Sequence, residues 1–303
     1  MTKSKLVELR GRMTRRAARG MALAVPAALI LAVPAMAVTH HPKAPFTQFA
    51  DCPLSNAMTE ECVHATTSSG EFVVGKKTVP IKNAITLQGG TVENEVTGVQ
   101  TFIGAEDGNT LSKTPQPVPG GLLGVVAPSF LPKFLQELLN EDVNKGITGV
   151  YATTELAAPA SSIGISTANL LFEEGTALML PVKVKLENAF LGSSCYIGSN
   201  AHPIMLPLTT GTTSPPAPNK PIKGKAGTLE ILEENNLVKF QGNSLVNNSY
   251  AAPAVEGCGG ILSLLVDPAV DAELGVPAAA GTNSAILNGT VEQAYAPAVK
   301  ASE

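Results

Sequence analysis

The chain has 303 residues, with 21 Lys and Arg against 25 Asp and Glu; seven of those bases and one acid fall in residues 1–37, so the remainder holds 14 lysines, no arginine, 24 acids and a net charge of −10. That balance excludes nucleic-acid binding, which needs Lys and Arg to displace counterions, and it excludes attachment by charge to an anionic membrane surface. Four Tyr and no Trp leave few aromatic platforms for sugars and argue against carbohydrate chemistry.

Residues 1–37 read as a cleavable signal peptide. Lys3, Lys5, Arg10, Arg12, Arg15, Arg16 and Arg19 form a basic n-region, residues 21–33 an apolar h-region, and Ala35-Met36-Ala37 the small residues of a cleavage site. The apolar stretch is short against the ~20 residues of a bilayer span, and Pro26 and Pro34 interrupt it. No transmembrane span is expected after cleavage. Val38 rather than Cys follows the cut, which argues against a lipid-anchored lipoprotein. Arg15-Arg16 reads as n-region charge, because Ala17-Ala18-Arg19 lacks the apolar continuation of a twin-arginine signal. Met13 opens a leader of more usual length and is the expected start. The localisation expected is secreted or cell envelope.

Cys52, Cys62, Cys195 and Cys258 follow the leader. An even count in an exported chain reads as two disulfides. Three connectivities exist, and locality favours Cys52–Cys62 and Cys195–Cys258. Zinc is a poorer reading: there is no CxxC pair, and only His64 lies close to Cys62.

Residues 38–69 look polar and loop-like, an N-terminal extension pinned by its disulfide; residues 70–303 read as a β-rich domain. From Glu71 short apolar runs appear: Phe72-Val73-Val74, Val79-Pro80-Ile81, then Ile85-Thr86-Leu87 ending at Gly89-Gly90, then residues 99–103. A helix is predicted from Ser129, with Phe130, Leu131, Phe134, Leu135, Leu138 and Leu139 on one face and Gly146 as its stop. Val182-Lys183-Val184-Lys185-Leu186-Glu187 alternates cleanly and predicts a half-buried strand. Residues 229–231 and 238–240 flank Glu233-Glu234-Asn235-Asn236 as a hairpin. A second helix is predicted from Asp267-Pro268, as N-cap and first-turn Pro, to Gly275. The apolar run 261–266 before it fits strand or helix, and residues 284–287 form a last strand.

The runs 120–126 and 259–265 share a Gly-Gly-apolar pattern leading through Pro into a helix. Coincidence in a Gly- and Pro-rich chain explains this better than duplication. Proline-rich connectors lie at 114–121 and 209–223. A Cys195–Cys258 bridge would span the second, which favours one continuous domain. The fold class expected is mainly β, an antiparallel β-sandwich-like single domain with two short helices.

Segments 104–124, 186–200, 209–222 and 265–290 carry a resemblance. They are similar to exported actinobacterial proteins of unknown function. The resemblance spans most of the chain after the leader. It implies an exported, β-rich protein with cysteines at Cys195 and Cys258, and it brings no activity and no functional residue.

A search for chemistry finds little. Gly-x-Ser-x-Gly, Ser-x-x-Lys and His-Glu-x-x-His are absent, as are phosphate and dinucleotide loops. Residues 140–146 depart from a calcium loop at the sixth position, Lys145, and the twelfth, Tyr151, and Glu106-Asp107-Gly108-Asn109 reads as a turn. Neither is assigned a metal, and no cofactor is expected. Glu173-Glu174 and Glu233-Glu234 are adjacent acids that a strand would point to opposite faces. His40 and His41 sit where a frayed terminus is expected. His202 reads as the histidine of the β core region. With Ser199 and Asn200, in a small-residue span beside Cys195, it forms the candidate ligand-binding loop, against a reading as a disulfide-stapled turn. Chemistry thus points to a non-enzymatic structural or interaction protein of the cell envelope or extracellular space. A hydrolase ranks last, and a pore-forming β protein lacks barrel-length alternation. The alternative is a carrier of an apolar or lipid-like ligand. There the partner would be an apolar small molecule or an envelope component, held where residues 122–126 and 261–266 line a cavity. An ordinary aliphatic core is the simpler reading of those runs.

Overall fold

Short runs of alternating apolar and polar residues, punctuated by Gly and Pro, can bury one face only as strands. The computed structural model bears this out over residues 40–93, 100–121, 132–133, 149–232, 234 and 236–303. The leader, the run 122–126 and the helix predicted from Ser129 lie outside these described residues, apart from residues 132 and 133. From Ala37 on, the chain is one unit. Fourteen strands among the described residues join one antiparallel sheet. They are β1 (Glu61–Val74), β2 (Lys77–Pro80), β3 (Ile85–Glu93), β4 (Gln100–Gly104), β5 (Gln116–Pro117), β6 (Tyr151–Leu156) and β7 (Gly164–Ile165), then β8 (Leu178–Glu187), β9 (Tyr196–Ile197), β10 (Ile204–Leu208), β11 (Thr228–Leu232), β12 (Leu237–Asn247), β13 (Val255–Glu256) and β14 (Ser284–Tyr295). The main path runs β11-β12-β14-β1-β3-β4-β7-β8-β6-β5, with β10 and β9 on β8, β13 on β9 and β2 on β1.

The sheet curls because its central strands bend at one level. β1 has a register shift between Thr67 and Ser69, and β12 another between Gln241 and Asn243. Both oppose Gly289 of β14, which pairs with Thr67 on one side and Asn243 on the other. Bulges increase local twist and bend their strand. Gly289 permits the close approach, since a Cβ there would lie 1.8 Å from the Thr66 carbonyl oxygen. The curl brings Thr209, just past β10, to Val246 of β12, where two backbone hydrogen bonds of 3.0 and 2.8 Å form a single bridge. The sheet does not close into a ladder there, and the two curled halves face each other as in a sandwich.

Both disulfides form as locality predicts, Cys52–Cys62 and Cys195–Cys258, with Cα separations of 5.4 and 4.1 Å. The 209–223 connector is a loop folded back on the sheet rather than a linker. Thr213 N–H donates to the Ile222 carbonyl at 2.9 Å, and the Asn219 amide donates to the carbonyls of Asn248 and Asn283 at 2.9 Å each.

Four expectations are corrected. β structure begins at Glu61 rather than Glu71, so the end of the predicted extension is the start of a central strand. The rest of that extension is not merely polar loop: Phe46, Phe49 and Leu54 are buried with Cys52, Cys62, Leu237, Ala294 and Val299 in a second hydrophobic cluster. His40 is tied down, its Nδ1 lying 2.7 Å from Glu303 Oε1. β3 runs on through Gly89-Gly90 to Glu93. The two unanticipated helices, Thr167–Phe172 and Ala296–Ala301, are six residues each.

Candidate functional site: an apolar cavity beneath the Ser263–Leu274 helix

The second predicted helix ends where expected, with Gly275 in the left-handed region at φ 73°. Its start differs. The apolar run 261–266 is helical: a 3-10 turn over Gly260–Leu262 leads into an α-helix over Ser263–Leu274, with Pro268 inside it. Asp267 is therefore no N-cap. Its carboxylate instead accepts the N–H groups of Gly257 (3.2 Å) and Cys258 (2.7 Å), and Asp271 accepts that of Val255 at 2.8 Å. These bonds tie the helix to β13 beside the disulfide. At its C-terminus the Lys76 N–H donates to the Leu274 carbonyl at 2.7 Å, the Lys76 ammonium donates to the Ala272 carbonyl at 2.9 Å, and Lys77 pairs with Glu273 at 2.6 Å. Cations at a helix C-terminus suit its dipole.

Between this helix and the curled sheet lies a cavity of about 490 Å³. Its walls follow the period of two that strands impose. Val182, Val184 and Leu186 of β8 point in, as do Ala152 and Thr154 of β6 with Val150 just before it. So do Phe72 and Val74 of β1, and Ile204 and Leu206 of β10. The intervening lysines of β8 point out: Lys185 pairs with Glu187 at 2.9 Å, and Lys183 lies over the Tyr196 ring, 4.6 Å from its centroid. The helix supplies Val266, Ala269, Val270, Glu273 and Leu274, spaced to share one face.

Besides Thr154, the polar side chains lining the cavity are Gln116, Tyr250, Lys77 and Glu273, and each of these four has a partner. The Gln116 side chain accepts the N–H groups of Lys82 (2.8 Å) and Asn83 (3.0 Å) and donates to the Asn83 carbonyl at 2.7 Å. The Tyr250 hydroxyl lies 2.8 Å from the Val73 carbonyl and 3.0 Å from that of Ser284. Burial pushes its pKa well above the ordinary phenol range. Lys77 and Glu273 neutralise each other. The cavity is thus mainly apolar, with most of its polar side chains spent on holding the walls.

The candidate loop lies elsewhere. Ser199 N–H donates to the His202 carbonyl at 3.0 Å, and His202 N–H donates to Ser199 Oγ at 3.2 Å, which closes a tight turn. Gly198 at φ 73° begins it, and a Cβ there would sit 3.0 Å from the His202 carbonyl oxygen. The His202 ring is 73 % exposed, 3.7 Å from the Glu256 carboxylate, and Asn200 faces solvent. The structure brings Ser199 and His202 together as a turn stapled next to Cys195, and none of the three residues lines the cavity. The histidine within the sheet is His64 on β1, not His202. It stands between Glu292 of β14, at 3.9 Å, and Gln88 of β3. Burial holds its imidazole below the ordinary value of 6.5, against the opposing pull of Glu292 and Asp51.

Glu106-Asp107-Gly108-Asn109 is a turn, with Asn109 N–H donating to Asp107 Oδ1 at 2.8 Å. Residues 140–146 lie outside the described residues. Among the described residues no cluster of three His, Cys, Asp or Glu side chains is arranged to hold a metal. None of the described helices is long and apolar enough to cross a membrane.

The fold and cavity define a class: a disulfide-braced, mainly β protein with one curled antiparallel sheet and an apolar interior. No protein-family model matches the chain, no curated protein matches it, and no solved structure matches its fold.

Proposed function

We propose that this chain is an exported carrier that holds an apolar, lipid-like molecule in the cavity beneath the Ser263–Leu274 helix. The cavity itself carries the reading. Its 490 Å³ falls within the roughly 300–1,000 Å³ of pockets that take small molecules. Well-packed interiors leave few voids larger than a water molecule. An apolar occupant suits walls that are mainly aliphatic; water would gain little from the few polar side chains there, most of which are already bonded. The paired charges of Lys77 and Glu273 favour an occupant uncharged along its buried length.

A structural or interaction role in the envelope, which the sequence favours, leaves the cavity without a purpose. A hydrolase fits less well, because among the described residues no histidine, serine or cysteine lines the cavity.

Native mass spectrometry on the secreted protein after mild extraction tests the carrier reading. An apolar molecule should co-purify, or a fluorescent fatty acid should be taken up in a one-to-one complex. Ala152→Phe, which puts a ring into the cavity from β6, should abolish either while the protein stays folded. A wild-type protein that carries no apolar adduct and ignores the probe would sink the proposal.

A further inference from the structure

The helix over the cavity has two apolar sides. Val266, Ala269, Val270 and Glu273 follow the i, i+3, i+4, i+7 spacing of one face and line the cavity. Ile261, Leu264, Leu265 and Pro268 follow the same spacing on another face and lie in solvent. Ile261 is 100 % exposed, Leu264 90 % and Leu265 76 %. Leu262, also exposed, and Phe190, 61 % exposed, extend this surface. Phe190 is placed there by Leu191, whose carbonyl accepts the Gly259 N–H at 2.7 Å, and it lines the cavity too. The outer stripe and the cavity are thus continuous through Phe190 and the helix.

Single exposed leucines are ordinary, but four large apolar side chains on one helical element, with Phe190 beside them, mark an interaction site. Its chemistry is narrow. No residue from 257 to 266 carries a charge, and Asp267 and Asp271 are turned inward onto backbone N–H groups of 255–258. A helix that is apolar all round at one end belongs in a core or in lipid. The Cys195–Cys258 bridge fixes that end, so the stripe is presented as a rigid edge. The acidic balance of the chain after the leader disfavours an anionic surface.

We propose that Phe190, Ile261, Leu262, Leu264 and Leu265 form the surface by which the protein docks on a bilayer of low net charge, so that a lipid-like ligand passes between membrane and cavity along the helix without crossing water. This rests on the carrier reading for its purpose, and its test is separate. Protein secreted with its leader removed is co-sedimented with phosphatidylcholine vesicles. The wild type should bind. Leu264→Glu combined with Leu265→Glu, both on exposed positions outside the core, should lower partitioning by about tenfold or more. Uptake of the fluorescent fatty acid in the absence of vesicles should be unchanged in that variant. Ile261→Glu alone, at the most exposed position, should give a smaller loss in the same direction. Wild-type protein that ignores the vesicles, or binds them equally after substitution, overturns the docking proposal while leaving the carrier reading standing. So does a wild type that ignores vesicles and forms a dimer which the double variant abolishes. Failure of probe uptake with vesicle binding intact would overturn the carrier reading alone.

Discussion

β1 runs from a filled core to a hollow one. At its start Cys62 joins Phe46, Phe49, Leu54, Leu237, Ala294 and Val299, and these side chains fill the space between the chain termini and the sheet. Past the bulge at Thr67–Ser69, Phe72 and Val74 of the same strand line the cavity of about 490 Å³. The strand chemistry does not differ: both ends alternate, and both offer aliphatic and aromatic side chains. What differs is the opposing layer. The filled end is covered by a short N-terminal segment and the Ala296–Ala301 helix, which press inward with two phenylalanines and Val299. The hollow end is spanned by the Ser263–Leu274 helix, held by backbone N–H groups that donate to Asp267 and Asp271, by Lys76 and Lys77 at its C-terminus and by a nearby disulfide. Those polar anchors set where the helix lies: Val270 joins the main core, and Val266 and Leu274 pack against it, beside the cavity.

Truncation should show the comparison most strongly. Phe49→Ala removes a ring that is 2 % exposed, and denaturant unfolding should report a loss of about 3–5 kcal/mol. Val184→Ala, on the cavity wall, should cost about 1 kcal/mol, because it enlarges a space that already exists. Equal losses would break the distinction between a filled and a hollow core. Enlargement is the converse. Ala294→Phe in the filled cluster should cost about 1–3 kcal/mol or more by overpacking. Ala152→Phe should change the stability of the ligand-free protein by less than about 1 kcal/mol, and a melting temperature that falls as far as that of Ala294→Phe would remove the cavity as an accommodating space.

The smallest effect concerns His64, on β1 between the two regions. Burial lowers its pKa from 6.5, so the folded protein binds this proton less readily than the unfolded chain does. Stability from this group is therefore present above 6.5 and declines as pH falls below it toward the folded value. His64→Gln should flatten that part of the pH–stability curve relative to wild type. A wild-type curve that instead gained stability on acidification through that window, with the gain lost in His64→Gln, would reverse the assignment.

Much of this was legible in residues with strong local rules. The alternation at 182–187 named β8 and even its inward face, the spacing of four cysteines named both bridges, and Gly275 marked the end of a helix. Elsewhere a residue's partner lay far along the chain. Asp267-Pro268 looks like a helix start, yet the Asp267 carboxylate serves the N–H groups of Gly257 and Cys258, so the helix begins earlier. The polar stretch Ala65-Thr66-Thr67-Ser68-Ser69 looks like loop, yet it belongs to a central strand because β14 pairs with it on one side and β3 pairs with Ala65-Thr66-Thr67 on the other. Ser199, Asn200 and His202 drew attention as a small-residue loop, and the turn they make is closed by its own backbone.

The sequence by itself determined the period of strands such as β8, the acidic balance of the chain and the local pairing of the cysteines, because each depends on neighbours in the chain. Only the tertiary structure decided that the apolar faces of β1, β6, β8 and β10 pack into one core that also borders a cavity. Alternation tells a side chain which way to point. Whether something is there to meet it depends on where the covering helix is placed, and that place is fixed in part by contacts between residues as remote as Lys77 and Glu273.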